Sequence, residues 1–398
     1  MTVYESTGRR ARTLVTSALL IAGALYSTEQ FRLVALVIFG VTTVLMAIAS
    51  FSSIRYGKIV VNRPQAALFV LLIFTMVLSA VWNEAFDLGM GAVIIAVSWL
   101  YLARVLPSKP YDSFPLLISV WVTFLSISVF NALYPLVFPY KGMFYNPNSL
   151  GGFYAAMSAG FCVCILYGVS ERRSIFPHLL ALGFCVVLTL VSNSRIAFAS
   201  AVASVILMAI AMARVGAKKR SKGRARLYLI AILAVSLMGA GFFWQGIYDV
   251  FIQKFIIKAS AGDISNSRFD IWEQILANIT LLGNGRDAFA TMDHAAHSTY
   301  FSILAQYGYL SALLFVLLIG WTIVLSTRKA VMKFYGGAPL IFAISFALLS
   351  ITEGMLMKTS MFLLMLVLNL PTIKLTGNVE VENKSRRFQQ AQRILQNV

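Results

Sequence analysis

Three side chains at the ends of apolar stretches could together do chemistry: Arg195, Arg268 and His297. Arginine pairs with phosphate oxygens through two parallel hydrogen bonds and stays charged, so two arginines could hold a diphosphate. A neutral imidazole is the usual acceptor for the proton of an attacking hydroxyl near pH 7. A plainer interpretation stays open for each residue, in which the arginines snorkel to lipid headgroups and the histidine is hydrogen-bonded at a membrane boundary.

The composition is that of a membrane protein. Of 398 residues, 59% are hydrophobic and 12% are charged, and the mean hydropathy is +0.80. Such a chain has too few polar groups to cover its surface in water, which excludes a secreted or cytosolic globular protein. The cysteines lie within apolar runs and predict no disulfide framework: Cys162, Cys164 and Cys185.

About twelve apolar stretches could cross a bilayer as helices, and they predict an all-α, polytopic membrane protein. They cover residues 13–28, 33–51, 65–82, 88–105, 113–133, 150–168, 176–193, 195–213, 227–246, 299–325, 338–352 and 355–373. The predicted organisation is a cytoplasmic N-terminus (1–12), transmembrane helices (13–246), an extracytoplasmic loop (247–298), three more transmembrane helices (299–373) and a cytoplasmic tail (374–398).

Charge assigns the two sides of the membrane. Most of the 33 Lys and Arg residues fall on the side of the N-terminus, including a basic run at 218–226. Because cytoplasmic loops carry the excess of Lys and Arg, we place both termini in the cytoplasm and interpret the run as an anchor on anionic lipid, not a nucleic-acid site. The other basic residues are predicted on the outer face: Arg32, Lys141, Arg195, Lys254, Lys258, Arg268, Arg286 and Lys358.

The outer loop of about 50 residues is long enough to carry function. Residues 247–258 alternate bulky apolar groups with lysines, which is typical of a helix in the headgroup layer. A second helix is predicted to begin at Arg268, where a cation gains nothing from the helix dipole, so a functional role is indicated. Its apolar side chains form one stripe: Phe269, Trp272, Leu276 and Ile279.

Two further groups of residues have alternative interpretations. Asp293, His294 and His297 could bind a metal ion at helical spacing, although no other histidine is expected on the outer side and we favour a site without metal. At the start of the sixth span, Asn148 or Ser149 can cap the helix. Alternatively, Asn146 and Asn148 line a polar groove for a sugar.

These motifs together resemble the O-antigen ligase and polymerase family of bacterial envelope glycosyltransferases. His297-Ser298, nine residues and then Gly308 is similar to the family's pattern, which continues with Gly, Thr or Tyr where this chain has Ser311. The Ser-Asn-Ser-Arg turn at 192–195 resembles the family's Ser/Thr-rich turn before a span.

Two more motifs extend the resemblance over the whole predicted topology. Arg268 with Trp272 resembles the family's Arg-x-x-x-Trp helix in the outer loop. Asn-Pro-Asn at 146–148 with Gly151 is similar to a motif of its polysaccharide polymerases.

The resemblance implies a metal-independent, inverting transfer, without a cofactor, on the outer face of the bacterial cytoplasmic membrane. The donor would be a glycan on undecaprenyl diphosphate, and the acceptor either a lipid A–core sugar (ligase) or another lipid-linked repeat (polymerase). By matching position, Arg195 and Arg268 would grip the diphosphate, and His297 would act as the base or orient the acceptor, with Tyr300 in support. Membrane lipids, a flippase and chain-length regulator proteins are the implied partners, and no nucleic acid is expected.

The sequence leaves two choices open. The compact outer loop and the Asn-Pro-Asn segment slightly favour a polymerase over a ligase, but the His-Ser-to-Gly pattern and the twelve spans suit both. The rival from another class is a polysaccharide flippase or other transporter, which would use charged or broken helices within the membrane. Glu353 and Lys358, near the outer ends of the last two spans, are the candidate charges for that alternative.

Overall fold

The computed structural model describes residues 3–52, 63–105, 114–137, 139–171, 173–216, 248, 256, 260, 268–290, 292, 296–332 and 337–363. Within these residues the chain is helical and contains no strand. The helices are α1 (Val3–Leu25), α2 (Arg32–Ser52), α3 (Arg63–Trp82), α4 (Phe86–Val105), α5 (Phe114–Ala132), α6 (Pro147–Glu171), α7 (Phe176–Val191), α8 (Arg195–Gly216), α9 (Arg268–Ala277), α10 (Thr299–Met332) and α11 (Gly337–Thr352), with a 3₁₀ turn at Gly285–Phe289.

Among the described residues, five helices are long and apolar enough to cross a membrane: Arg32–Ser50, Arg63–Trp82, Pro147–Val169, Arg195–Ala213 and Thr299–Arg328. Five shorter apolar helices accompany them: Thr13–Leu25, Phe86–Leu102, Leu116–Ala132, Phe176–Val191 and Gly337–Thr352. The predicted all-helical, membrane-protein character is confirmed at this level. The predicted stretch 227–246 and the tail 374–398 lie outside the described residues, as does most of 247–258.

The sixth helix is the centre of the described bundle. Residues 149–166 of α6 are all buried, because α5, α7, α8 and α11 pack around this helix. Glycine, alanine and serine are frequent in its sequence. Inside a bilayer the hydrophobic effect does not drive helices together, so small residues that let helix backbones approach closely support their packing. By contrast, α2 exposes large apolar side chains such as Leu33, Val37 and Ile48, as expected of a face that contacts lipid.

The tenth helix is broken at Gly308, whose φ is +86°. The segment 280–284 packs against the break: the amide of Tyr309 donates to the Thr280 carbonyl (3.1 Å), and the amide of Asn284 donates to the Ala305 carbonyl (2.8 Å). These bonds pair backbone groups that the break releases from the helix. No break is predicted from the sequence, since an isolated glycine is tolerated inside a helix.

The last predicted span begins later than expected. Residues 353–358 are not helical, and helix resumes at Thr359 instead of 355. Met357 adopts a φ of 62°, a left-handed conformation that interrupts a right-handed helix. Residues 364–373 of this span lie outside the described residues.

Gly308→Ala is expected to lower the stability by about 1–3 kcal/mol, because an L side chain is strained at this φ. A Cβ there would also meet the backbone of Leu281 and Gly283. Thermal unfolding of the purified protein in detergent measures the loss. Gly320→Ala, in the same helix and with nothing within 4 Å of its Cβ, is the control and is expected to change little. Equal melting temperatures for the two variants would contradict this role for Gly308.

Candidate functional site

One end of the bundle carries a cavity of about 540 Å³. It is lined by the connection between α1 and α2, the residues just before and at the start of α6, the start of α10 and the segment that follows α11. Its polar lining residues include Tyr26, Glu29, Asn146, His297, Glu353 and Lys358. This volume is typical of sites for small molecules.

Asn146 both lines the cavity and caps α6. Its Oδ1 accepts a hydrogen bond from the amide of Ser149 at 2.7 Å, and Pro147 occupies the first helical position. The prediction that Asn148 or Ser149 caps the helix is therefore wrong. Proline suits the first position because its missing N–H would be unpaired there anyway, so the cap falls one residue earlier.

Arg195 is the first residue of α8 and follows a tight turn. In that turn Asn193 has a φ of 59°, and the hydroxyl of Ser192 donates to the Thr189 carbonyl at 2.8 Å. Gly151 of α6 lies directly against the turn, because a Cβ there would meet the Ser192 hydroxyl oxygen at 2.5 Å. The close approach of α6 thus fixes the backbone position from which the side chain of Arg195 extends.

Arg268 begins α9, as the sequence predicts. The helix is fixed by Trp272, whose indole N–H donates to the Ala296 carbonyl at 2.9 Å and whose ring stacks on Phe301 at 4.5 Å. Ala296 precedes His297, so this contact joins the position of α9 to the start of α10.

The predicted apolar stripe of α9 is only partly the face that packs. Ile271 and Ile275 are buried and Trp272 is partly buried against them, whereas three members of the predicted stripe are largely exposed: Phe269, Leu276 and Ile279. The helix is apolar on two faces, and periodicity alone does not say which face meets the protein.

Glu353 is the centre of the charge cluster beside the cavity. Its Oε1 lies 4.0 Å from Nη2 of Arg268, and the two side chains are 7% and 21% exposed. Burial raises the pKa of Glu353, while Lys358, Arg268 and a hydrogen bond with Asn148 lower it. Burial lowers the pKa of Arg268; the carboxylate of Glu353 opposes this shift and Arg195 adds to it. Arg268 therefore interacts electrostatically with both Glu353 and Arg195, and Lys358 interacts with Glu353.

His297 lines the cavity and has a φ of 48°, an unusual backbone conformation for a residue other than glycine. The next two residues bind the end of α11: the Ser298 hydroxyl donates to the Ser350 carbonyl (3.1 Å) and the Thr299 hydroxyl donates to the Glu353 carbonyl (2.8 Å). His297 therefore precedes a segment fixed to the end of α11, and it lines the same cavity as Glu353. Strained backbone of this kind concentrates at functional sites.

The structure brings most of the predicted site residues to this end of the bundle, in three kinds of position. Asn146 and His297 line the cavity, and Asn148 and Arg268 adjoin it through Glu353. Arg195 interacts with Arg268, and neither arginine is among the described residues that line the cavity. Tyr300 instead directs its hydroxyl to the Ala347 carbonyl of α11 at 3.5 Å. Asp293 and His294, the other members of the possible metal site, lie outside the described residues.

Sequence reasoning assigned Glu353 and Lys358 to the rival transporter and missed the contact of Glu353 with Arg268. The available signal was two charged residues in an apolar stretch, which are functional candidates by default. In comparisons with known proteins, neither a family model nor a curated protein sequence matches this chain. Function therefore has to be inferred from the site itself.

Trp272→Phe is expected to lower the stability by about 1 kcal/mol, because the carbonyl of the fully buried Ala296 loses its hydrogen-bond donor. The melting temperature in detergent measures this effect. Leu276→Ala removes a side chain of the same helix that is 54% exposed and serves as the control, expected to stay within about 0.5 kcal/mol of wild type. A larger loss from Leu276→Ala than from Trp272→Phe would argue against the packing of α9 described above.

Proposed function

We propose that the protein is an extracytoplasmic glycosyltransferase of the O-antigen ligase and polymerase type. It transfers a glycan from undecaprenyl diphosphate to a sugar hydroxyl during assembly of a surface polysaccharide. The acceptor is either another lipid-linked repeat or lipid A–core. The observation that carries the proposal is the half-buried Arg268, close to Arg195, beside a cavity that His297 lines.

The two arginines supply the binding of the donor. Like charges repel more strongly where water is partly excluded, and burial already disfavours the charged form of Arg268. A diphosphate reverses that balance, because its oxygens accept charge-assisted hydrogen bonds from both guanidinium groups. The site is thus better suited to an anion than to a neutral ligand.

His297 supplies the base. Its imidazole takes the proton of the acceptor hydroxyl as the hydroxyl oxygen attacks the anomeric carbon of the donor sugar. The bond from that carbon to the diphosphate oxygen breaks, the diphosphate leaves with the electron pair, and the configuration inverts. The arginines neutralise the charge that grows on the leaving group. Cleavage of the bond between the donor sugar and the diphosphate supplies the free energy for the transfer, so the reaction needs no nucleotide. The arginines take the place of a metal ion in neutralising the leaving group.

The membrane arrangement that suits this chemistry has about twelve spanning helices and both termini in the cytoplasm. The basic loops on the N-terminal side support this orientation. It puts Arg195, Arg268 and His297 on the outer face, at the level of the headgroups, where a lipid-linked diphosphate would be presented.

A second candidate, a flippase or other transporter, is favoured by one observation: α10 is broken at Gly308, and broken helices form substrate sites in transporters. Here, however, backbone groups of the segment 280–284 fill the break. The charged side chains lie at the end of the bundle and not at the break, which supports transfer over transport.

His297→Ala is expected to lower glycan transfer by about 100-fold or more, because it removes the general base. Arg268→Ala is expected to lower it by a similar factor through loss of leaving-group stabilisation. The measurement is product formation by purified protein given a lipid-linked repeat with and without lipid A–core. Laddered products without the core indicate a polymerase, and a single product that needs the core indicates a ligase.

The matched control is Arg286→Gln, since Arg286 is 65% exposed and pairs with Asp87 away from the cavity. This variant and treatment with a chelator should leave the rate near that of wild type. Wild-type rates for His297→Ala or Arg268→Ala would remove their catalytic roles, and loss of activity with the chelator would restore the metal alternative.

A further inference from the structure

The segment 353–358 is a non-helical connection that the rest of the protein holds firmly. The amide of Met355 donates to the Thr299 hydroxyl oxygen, and that hydroxyl donates to the Glu353 carbonyl, both at 2.8 Å. At its other end, the Thr359 hydroxyl donates to the Leu20 carbonyl of α1 at 2.9 Å. The segment is therefore fastened to α10 and to α1.

Close packing against α1 adds to this constraint. A Cβ at Gly23 would lie 2.6 Å from the backbone nitrogen of Thr359 and 2.9 Å from the carbonyl carbon of Lys358. No side chain larger than hydrogen fits there, so α1 fixes the backbone from which Lys358 extends.

Lys358 is partly buried and lines the cavity together with His297. It interacts electrostatically with Glu353, yet the ion pairs among the described residues do not include it. Glu353 instead lies at 4.0 Å from Arg268 and hydrogen-bonds Asn148. Lys358 thus lines the cavity without a carboxylate at ion-pair distance among the described residues.

The net charge of the cluster beside the cavity indicates that a negatively charged ligand is missing. Arg195, Arg268 and Lys358 are cations, and Glu353 is the one carboxylate described as interacting with Arg268 and Lys358. The cluster therefore keeps two positive charges uncompensated in a partly buried place, which is costly without an anion. Glu29 and Arg32 also line the cavity, and together they add no net charge. A diphosphate diester carries two negative charges and restores neutrality.

We propose that Lys358 is a third cationic ligand of the donor diphosphate, and that Glu353 is the counter-ion that partly neutralises this cluster while the donor is absent. This inference rests on the proposed function. The carboxylate and the diphosphate then compete for the same cations. Lys358 binds the anion from the side of α1, against which its backbone packs.

Binding of geranyl diphosphate and of inorganic pyrophosphate to the full-length protein in detergent tests this inference apart from catalysis. Lys358→Gln is expected to weaken binding by about 10-fold or more, the usual effect of losing a charge-assisted hydrogen bond. Lys358→Arg is expected to stay within about 3-fold of wild type, since it keeps the charge. The control is Lys141→Gln, an exposed lysine at the same end of the bundle, which should not change binding.

The counter-ion role makes a prediction of opposite sign. Glu353→Gln keeps an oxygen that can bond Asn148 but removes the negative charge, so it should tighten diphosphate binding several-fold. A carboxylate with a purely structural role would weaken binding or leave it unchanged when replaced.

The outcomes separate the two proposals. Unchanged binding in Lys358→Gln, while wild type binds, overturns the role of Lys358 and leaves the proposed function standing. Weaker binding in Glu353→Gln overturns the counter-ion role. Failure of the wild-type protein to bind either diphosphate overturns this inference and the donor site of the proposed function together. Stronger binding of geranyl diphosphate than of pyrophosphate indicates a lipid-linked source for the anion.

Discussion

The partial burial of Arg268 beside Arg195 depends on the carboxylate of Glu353, 4.0 Å from the guanidinium. Taking charges out of water is costly, and one carboxylate shared among several cations repays this cost only in part. Partly buried cations without full compensation are tolerated where they bind a ligand of opposite charge. The cluster is therefore best understood as a site prepared for an anion, and the rest of the bundle as the frame that keeps its members in place.

That frame consists of close backbone contacts between helices. Gly151 of α6 lets the turn before Arg195 approach the core, and Gly23 of α1 lets the segment before Thr359 approach α1. The break at Gly308 allows segment 280–284 to reach into α10. Each contact is made by backbone or by small side chains, which have few alternative conformations. The contacts therefore hold the charged groups at the helix ends in defined positions.

Much of the helical layout could be predicted from the sequence. The stretches from 13–28 to 338–352, apart from 227–246, coincide with helices because continuous apolar runs have few other folds available in a bilayer. The start of α9 at Arg268 was also predictable, since the apolar period begins there. The convergence of Asn146, Arg268 and His297 follows from the alternating direction of successive helices, once the ends of those helices are known.

The rest depended on contacts between distant parts of the chain. Glu353 meets Arg268 and Asn148 through tertiary packing, which no local pattern records. Local propensity hardly distinguishes Asn146 from its neighbours as the helix cap, or one apolar face of α9 from the other as the buried face. The cap at Asn146 and the exposure of Phe269 were therefore not predictable. The break at Gly308 depends on its packing against the segment 280–284, so the motif that contains this glycine does not predict it.

The central claim is that this cation cluster binds a lipid-linked diphosphate while His297 activates an acceptor. The most direct measurement is a single-turnover reaction of the purified protein in sealed vesicles, with an undecaprenyl-diphosphate-linked repeat and no added nucleotide or metal. We predict release of undecaprenyl diphosphate in equal amount to the new glycosidic bonds, on the face of the vesicle that carries the outer loop. Movement of the intact donor across the bilayer, without any new bond, would contradict the account and favour a transporter.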